Sequence, residues 1–213
     1  MTGTNLAPSP ALRAATGLRR IVDKIAAFMN IVAGWIFVAC AAFICLDVLA
    51  RSAFNVSSAA TVELSGYMLA CGISWALAHT LSERAHVRVD VLVNNAPIPL
   101  QAYLHVFAIA LLLAFSSFMT WAGYSLVAES LLFQAHDTSA LYTPLAIPQT
   151  IWVIGLGGLT VMCAALLIEA LLLLLAGRLI DVVDLLHNRT IDDEAQEALE
   201  AVSSSSTSGK DAS

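Results

Sequence analysis

Charge is scarce in this sequence. Asp, Glu, Lys and Arg make up 12% of its 213 residues, against roughly 25% in a soluble domain. With 59% hydrophobic residues and a mean hydropathy of +0.80, a water-soluble fold is excluded. Cysteine is absent outside the apolar stretches: Cys40, Cys45, Cys71 and Cys163 all lie inside them. No disulfide framework is therefore indicated, and small packing residues are the plain reading. Basic patches interleaved with aromatics are also missing, which argues against nucleic acid as a partner. There is no His-Glu-x-x-His zinc motif and no phosphate-binding loop. Ser65-Gly66 lacks the flanking glycine of a nucleophile elbow. So thin a catalytic inventory predicts a chain that is not an enzyme. Internal repeats are lacking too, so this chain alone does not support an inverted-repeat transporter.

What is present is four long apolar stretches, at about 25–49, 64–81, 100–127 and 149–176. Crossing a bilayer as a helix takes about 20 such residues. In lipid each backbone must satisfy its own hydrogen bonds, and four segments are too few for a barrel. The expected fold class is an all-α integral membrane protein with four transmembrane helices. The first stretch exceeds the roughly 7–15 residues of a signal-peptide core and reads as a retained span. Residues 1–18, with Pro8, Pro10 and Gly17, read as a mobile lead, and 19–189 as the membrane domain. The acidic, Ser-rich stretch at 190–213 reads as a disordered tail. Much of the formal net charge of −6 comes from that tail, so the overall acidity says little about partners.

Orientation follows from the basic residues. Arg13, Arg19, Arg20 and Lys24 precede the first span, Arg84 and Arg88 separate the second from the third, and Arg178, Arg189 and Lys210 follow the fourth. Only Arg51 lies between the first two spans, and residues 130–148 contain no Lys or Arg. Positive residues near span ends favour the cytoplasmic side, so both termini are expected there. The Glu83-to-Ala96 segment between spans two and three places Ala85, Val89, Leu92, Val93 and Ala96 on one helical stripe. It reads as an amphipathic helix lying in the membrane interface.

A few charged residues call for partners. Asp47 and Arg51 are four apart on one helical face, and Glu63 opens the second span across a short loop. Arg51 can pair with either acid. A structural ion pair joining spans one and two is the plainer reading, and a contact to another subunit is the alternative. Glu169 lies within span four, and its expected partner is His79, Arg84 or a neighbouring subunit. Small residues, Gly66, Ala70 and Gly72 in span two and Gly155, Gly157 and Gly158 in span four, suit close helix packing. His79 and His105 allow a different reading, in which they ligate a b-type haem and the chain anchors a redox enzyme. The simpler reading of His105 is an interfacial hydrogen-bonding residue, and no cofactor is the preferred expectation.

The stretch DVLARSAFNVSSAATVELSGYMLACGISWALAHTLSERAHVRVDVL, from Asp47 to Leu92, resembles the small permease subunit of tripartite ATP-independent periplasmic (TRAP) transporters, the DctQ-like family. The matching positions are Arg51, Phe54, Asn55, Glu63, Leu64, Gly72, His86 and Asp90. A glycine often seen in that family just before the histidine is replaced here by the Ser82-Glu83-Arg84-Ala85 run. The resemblance implies a multi-pass subunit of the bacterial inner membrane. It implies two protein partners: a large permease subunit that carries the substrate by sodium-coupled, elevator-like movement, and a periplasmic binding protein that delivers an organic acid. The small subunit would brace the large one without holding substrate. With the charged residues singled out above, the structural or interaction candidates are Asp47, Arg51, Asn55, Glu63, Arg84, His86, Arg88, Asp90 and Glu169. The outer loop at 130–148, with Phe133, Asp137 and Tyr142, and the Arg51–Glu63 edge are expected to face the binding protein, and membrane lipid to surround the bundle.

Overall fold

The computed structural model describes residues 10–54, 60–83, 97–137 and 142–186. They form five helices: α1 (Pro10–Phe54), α2 (Ala60–Ser82), α3 (Ile98–Leu132), α4 (Ala146–Leu175) and the short α5 (Leu179–Leu186). Among the described residues there is no strand, only an isolated bridge between His136 and Pro144.

At ~1.5 Å per residue, a helix of 45 residues such as α1 is about 68 Å long. That is more than twice the roughly 30 Å hydrocarbon core of a bilayer, so α1 carries a basic extension beyond its apolar run. The extension includes residues expected from the sequence to be a mobile lead. The helix begins at Pro10, where a missing N–H costs nothing. It then buries Leu12 and Ala15, and Leu12 joins the cluster that contains Leu173, Val182 and Leu185. Burial of that apolar pair gives the extension a reason to be ordered. Similar logic starts α3, where Pro97 is extended at ψ 146° and a proline follows in the first turn.

The end of α4 is set by Gly177, at φ +70°. Its N–H donates to the Leu174 carbonyl and the Arg178 N–H to the Leu173 carbonyl, both at 3.0 Å. This paired closure of a helix end needs a left-handed residue, which glycine adopts without strain. The chain then turns straight into α5.

Packing is centred on α4, which lies against each of the other four helices. Its most apolar stretch is 44% buried, against 17% for those of α1 and α3. Leu159, Met162, Cys163, Leu166, Ala170 and Leu173 form its buried stripe. On one side α4 meets α1 and α2, which also pack on each other; on the other it meets α3 and α5. The outer helices leave large apolar side chains uncovered, among them Phe28, Ile31 and Trp35 on α1 and Phe107, Phe115 and Phe118 on α3. Such continuous apolar exposure suits lipid or another membrane subunit.

Three helices, α1, α3 and α4, are long and apolar enough to cross a membrane. The segment expected as the second span, α2, is a helix of 23 residues that carries Glu63, Ser74, His79 and Thr80. Those polar groups lower its hydropathy, and its buried face (Cys71, Gly72, Ser74, Ala78 and Leu81) is turned inward.

Candidate functional site

Polar chemistry is concentrated at the two ends of the bundle. At the end where α1 finishes and α2 starts, Arg51 Nη2 donates to Asp47 Oδ2 at 3.0 Å. The Asp47 side chain is 6% exposed and that of Arg51 59%. One turn of α1 thus shields a carboxylate with its own arginine. Arg51 could have paired with either acid by sequence, and here its salt bridge is made with Asp47, inside one helix.

Glu63 meets Tyr67 instead, one turn along α2, with the phenol oxygen 3.1 Å from Oε1. The same phenol lies 2.7 Å from Asp137 Oδ2. A hydroxyl has one proton to give, and the shorter contact makes Asp137 its better acceptor. Tyr67 thereby ties the loop between α3 and α4 to α2. That loop is shaped by its own hydrogen bonds: Ala135 N–H to Ser130 carbonyl at 2.9 Å, Asp137 N–H to Thr143 carbonyl at 3.0 Å, and Leu145 N–H to Ala135 carbonyl at 3.1 Å. His136 stacks on Tyr142, with ring centroids 4.5 Å apart. Phe133 and Tyr142 remain exposed. Farther along, the Trp75 indole donates to the Ile151 carbonyl at 2.8 Å.

The opposite end holds a lock between α1 and α4. Arg19 Nε lies 2.6 Å from Glu169 Oε2, whose side chain is 7% exposed. The N–H is not aligned for a hydrogen bond, so the contact is one of charge. Thr16 Oγ1 lies 3.1 Å from Glu169 Oε1 and 2.9 Å from the Leu12 carbonyl, and its proton serves one of them at a time. The expected partners of Glu169 within this chain were His79 and Arg84. The structure places Arg19 and Thr16 at Glu169 where His79 was expected, because α1 continues as a helix past its apolar run and brings them alongside α4; Arg84 lies outside the described residues. His79 turns to Ser82, whose hydroxyl donates to the His79 carbonyl at 3.0 Å and lies 3.5 Å from Nδ1.

His79 and His105 stand on α2 and α3, helices that pack on α4 rather than on each other. Asn55, Arg84, His86, Arg88 and Asp90 fall outside the described residues, as does the expected interfacial segment at 83–96 beyond Glu83. Of the residues singled out by sequence, the structure therefore places Asp47, Arg51, Glu63 and Glu169, in two separate clusters. Tyr67, Thr16 and Arg19 were not singled out as partners. For Tyr67 the signal was available, since it stands four residues after Glu63.

Inside the bundle, polar groups serve as helix ties. Thr120 and Thr160 hydroxyls meet at 2.9 Å between α3 and α4. Ser74 on α2 sits so close to Gly155 on α4 that a Cβ there would fall 2.5 Å from its hydroxyl oxygen. The arrangement fastens helices together.

Residues 40–173 match the family model described as DctQ: Tripartite ATP-independent periplasmic transporters, DctQ component. No curated protein and no solved structure matches the chain. The matched region takes in the Asp47–Arg51 turn, all of α2 and α3, and nearly all of α4.

Proposed function

The chain belongs to the DctQ component family of the tripartite ATP-independent periplasmic transporters, and from that premise we propose that it is the stationary subunit that braces a large permease during sodium-coupled uptake of an organic acid. The observation that carries this reading is the family match over 40–173. The internal chemistry supports it. An elevator needs a part that stays still, and here the polar groups between helices are engaged in ties such as Thr120–Thr160 and Arg19–Glu169.

In this reading all four long helices cross the inner membrane of a bacterium. α2 tolerates its polar residues because α1 and α4 cover its inner face. At ~1.5 Å per residue, its 23 residues reach about 34 Å, sufficient for the hydrocarbon core. The end bearing Arg13, Arg19, Arg20, Lys24 and Arg178 faces the cytoplasm, along with both termini. The segment at 83–96 then lies in the inner interface. The uncovered apolar face of α1 or of α3 receives the large subunit, and Phe133 and Tyr142 on the outer loop meet the periplasmic binding protein.

A tagged pull-down from membranes in mild detergent tests the assignment. The large multi-span permease should co-purify, and alanine at both Phe133 and Tyr142 should weaken retention of the binding protein while leaving the permease attached. Recovery of a haem-containing redox partner in its place would overturn the reading in favour of a redox anchor.

A further inference from the structure

At the basic end of the bundle α1 and α2 part to leave an open-sided cleft of about 490 Å³, within the roughly 300–1,000 Å³ that small-molecule sites occupy. Arg19, Asp23, Lys24, His79, Ser82 and Glu83 line it. Arg19 is already neutralised by Glu169. What remains is a set of mixed sign: two carboxylates facing a lysine, a histidine and a hydroxyl.

Two of these groups have unused capacity. Asp23 Oδ1 is buried and accepts no hydrogen bond, while its other oxygen is 3.7 Å from Arg19 Nη1. Lys24 makes no salt bridge among the described residues. The cleft therefore offers a place for a cation donor beside a place for an anion. Its level in the bundle is where α1 leaves its apolar run and α2 ends at Ser82. At the same level α1 exposes Ile21, Ile25 and Phe28, an apolar path for acyl chains.

We propose that this cleft binds the headgroup of an aminophospholipid, with the ammonium at Asp23 and Glu83 and the phosphate at Lys24 and His79. The mixed lining discriminates among headgroups. An ammonium carries three N–H donors and satisfies the buried Asp23 oxygen. A choline headgroup has the charge but no donor. A glycerol headgroup leaves an anion facing Asp23 and Glu83. The proposal requires that the chain lie in a membrane, and it is independent of the subunit role.

Native mass spectrometry of the delipidated full-length chain, offered ethanolamine, choline and glycerol phospholipids of matched acyl chains, tests it. Ethanolamine lipid should be retained about tenfold over choline lipid, the worth of one charge-assisted hydrogen bond. Asp23→Asn should bring that ratio close to one, and Lys24→Ala should weaken retention of both lipids alike. Circular dichroism of both variants separates loss of binding from loss of fold, and the comparison of lipids on the unaltered chain stands without either variant. Equal retention of ethanolamine and choline lipids, or preference for the glycerol lipid, overturns the proposal. So does displacement by free phosphoethanolamine at the same concentration as the lipid, which would point to a soluble ligand.

Discussion

Glu169 and Arg19 connect α4 to the basic extension of α1, and their burial sets what each is worth. Removing Arg19 leaves the buried Glu169 carboxylate without its cation, which costs about 3 kcal/mol when a buried pair is broken, whereas removing Glu169 leaves an Arg19 that is 24% exposed and 3.7 Å from Asp23. Replacing both by apolar residues avoids that penalty. Arg19→Leu should therefore lower the detergent-solubilised melting temperature clearly, Glu169→Leu should lower it less, and the double variant Arg19→Leu/Glu169→Leu should recover most of the loss seen with Arg19→Leu. Differential scanning fluorimetry of the singles and the double checks this; a double variant no more stable than Arg19→Leu would contradict it. The charge at Glu169 was legible in the sequence as an acid within an apolar stretch. Its partner was not, because Arg19 lies outside the first apolar run and reaches Glu169 only when the helix continues back to Pro10. Asp47 and Arg51 were legible as a pair, since residues four apart on a helix must meet. Asp137 was visible only as a loop acid, for its contact with Tyr67 depends on how the outer loop folds back.

Among the elements, α2 and α4 approach closely at Gly155. A Cβ on Gly155 would sit 2.5 Å from the Ser74 hydroxyl oxygen and 2.7 Å from the Ser74 backbone carbon. Backbone cannot swing aside as a side chain can, so Gly155→Ala must push the helices apart. That kind of overpacking costs about 1–3 kcal/mol. Gly157 has nothing within 4 Å of the same position, and Gly157→Ala should leave stability unchanged or raise it by up to about 1 kcal/mol, because alanine is the better helix former. Thermal unfolding of the two variants side by side reads the difference; equal melting temperatures would show that the α2–α4 contact is looser than the structure places it. Sequence exposed the run of glycines in α4 but not which of them faces α2, since neighbouring glycines differ by a helical rotation that no composition records. Existence and order of the long helices were legible from apolar length. The beginning of α1 was not, because its extension is held by burial of Leu12 and Ala15 rather than by hydropathy.

As a whole the molecule is a bundle wrapped around α4, with apolar outer faces and its polar groups concentrated at the two ends. Its interior carries helix ties such as Thr120–Thr160, which is consistent with the proposed role of a brace in a three-part transporter. The overall class was readable from scarce charge and long apolar runs, and the family from the order of residues between Asp47 and Asp90. Which outer face meets the large subunit was beyond reach of the sequence, since both α1 and α3 are apolar on the outside. Uptake of radiolabelled organic acid into proteoliposomes under an inward sodium gradient, with the binding protein present, tests the central claim most directly. Vesicles holding this chain together with the large permease should accumulate substrate, and vesicles holding this chain alone should stay at background. Sodium-driven uptake by this chain on its own would contradict the account.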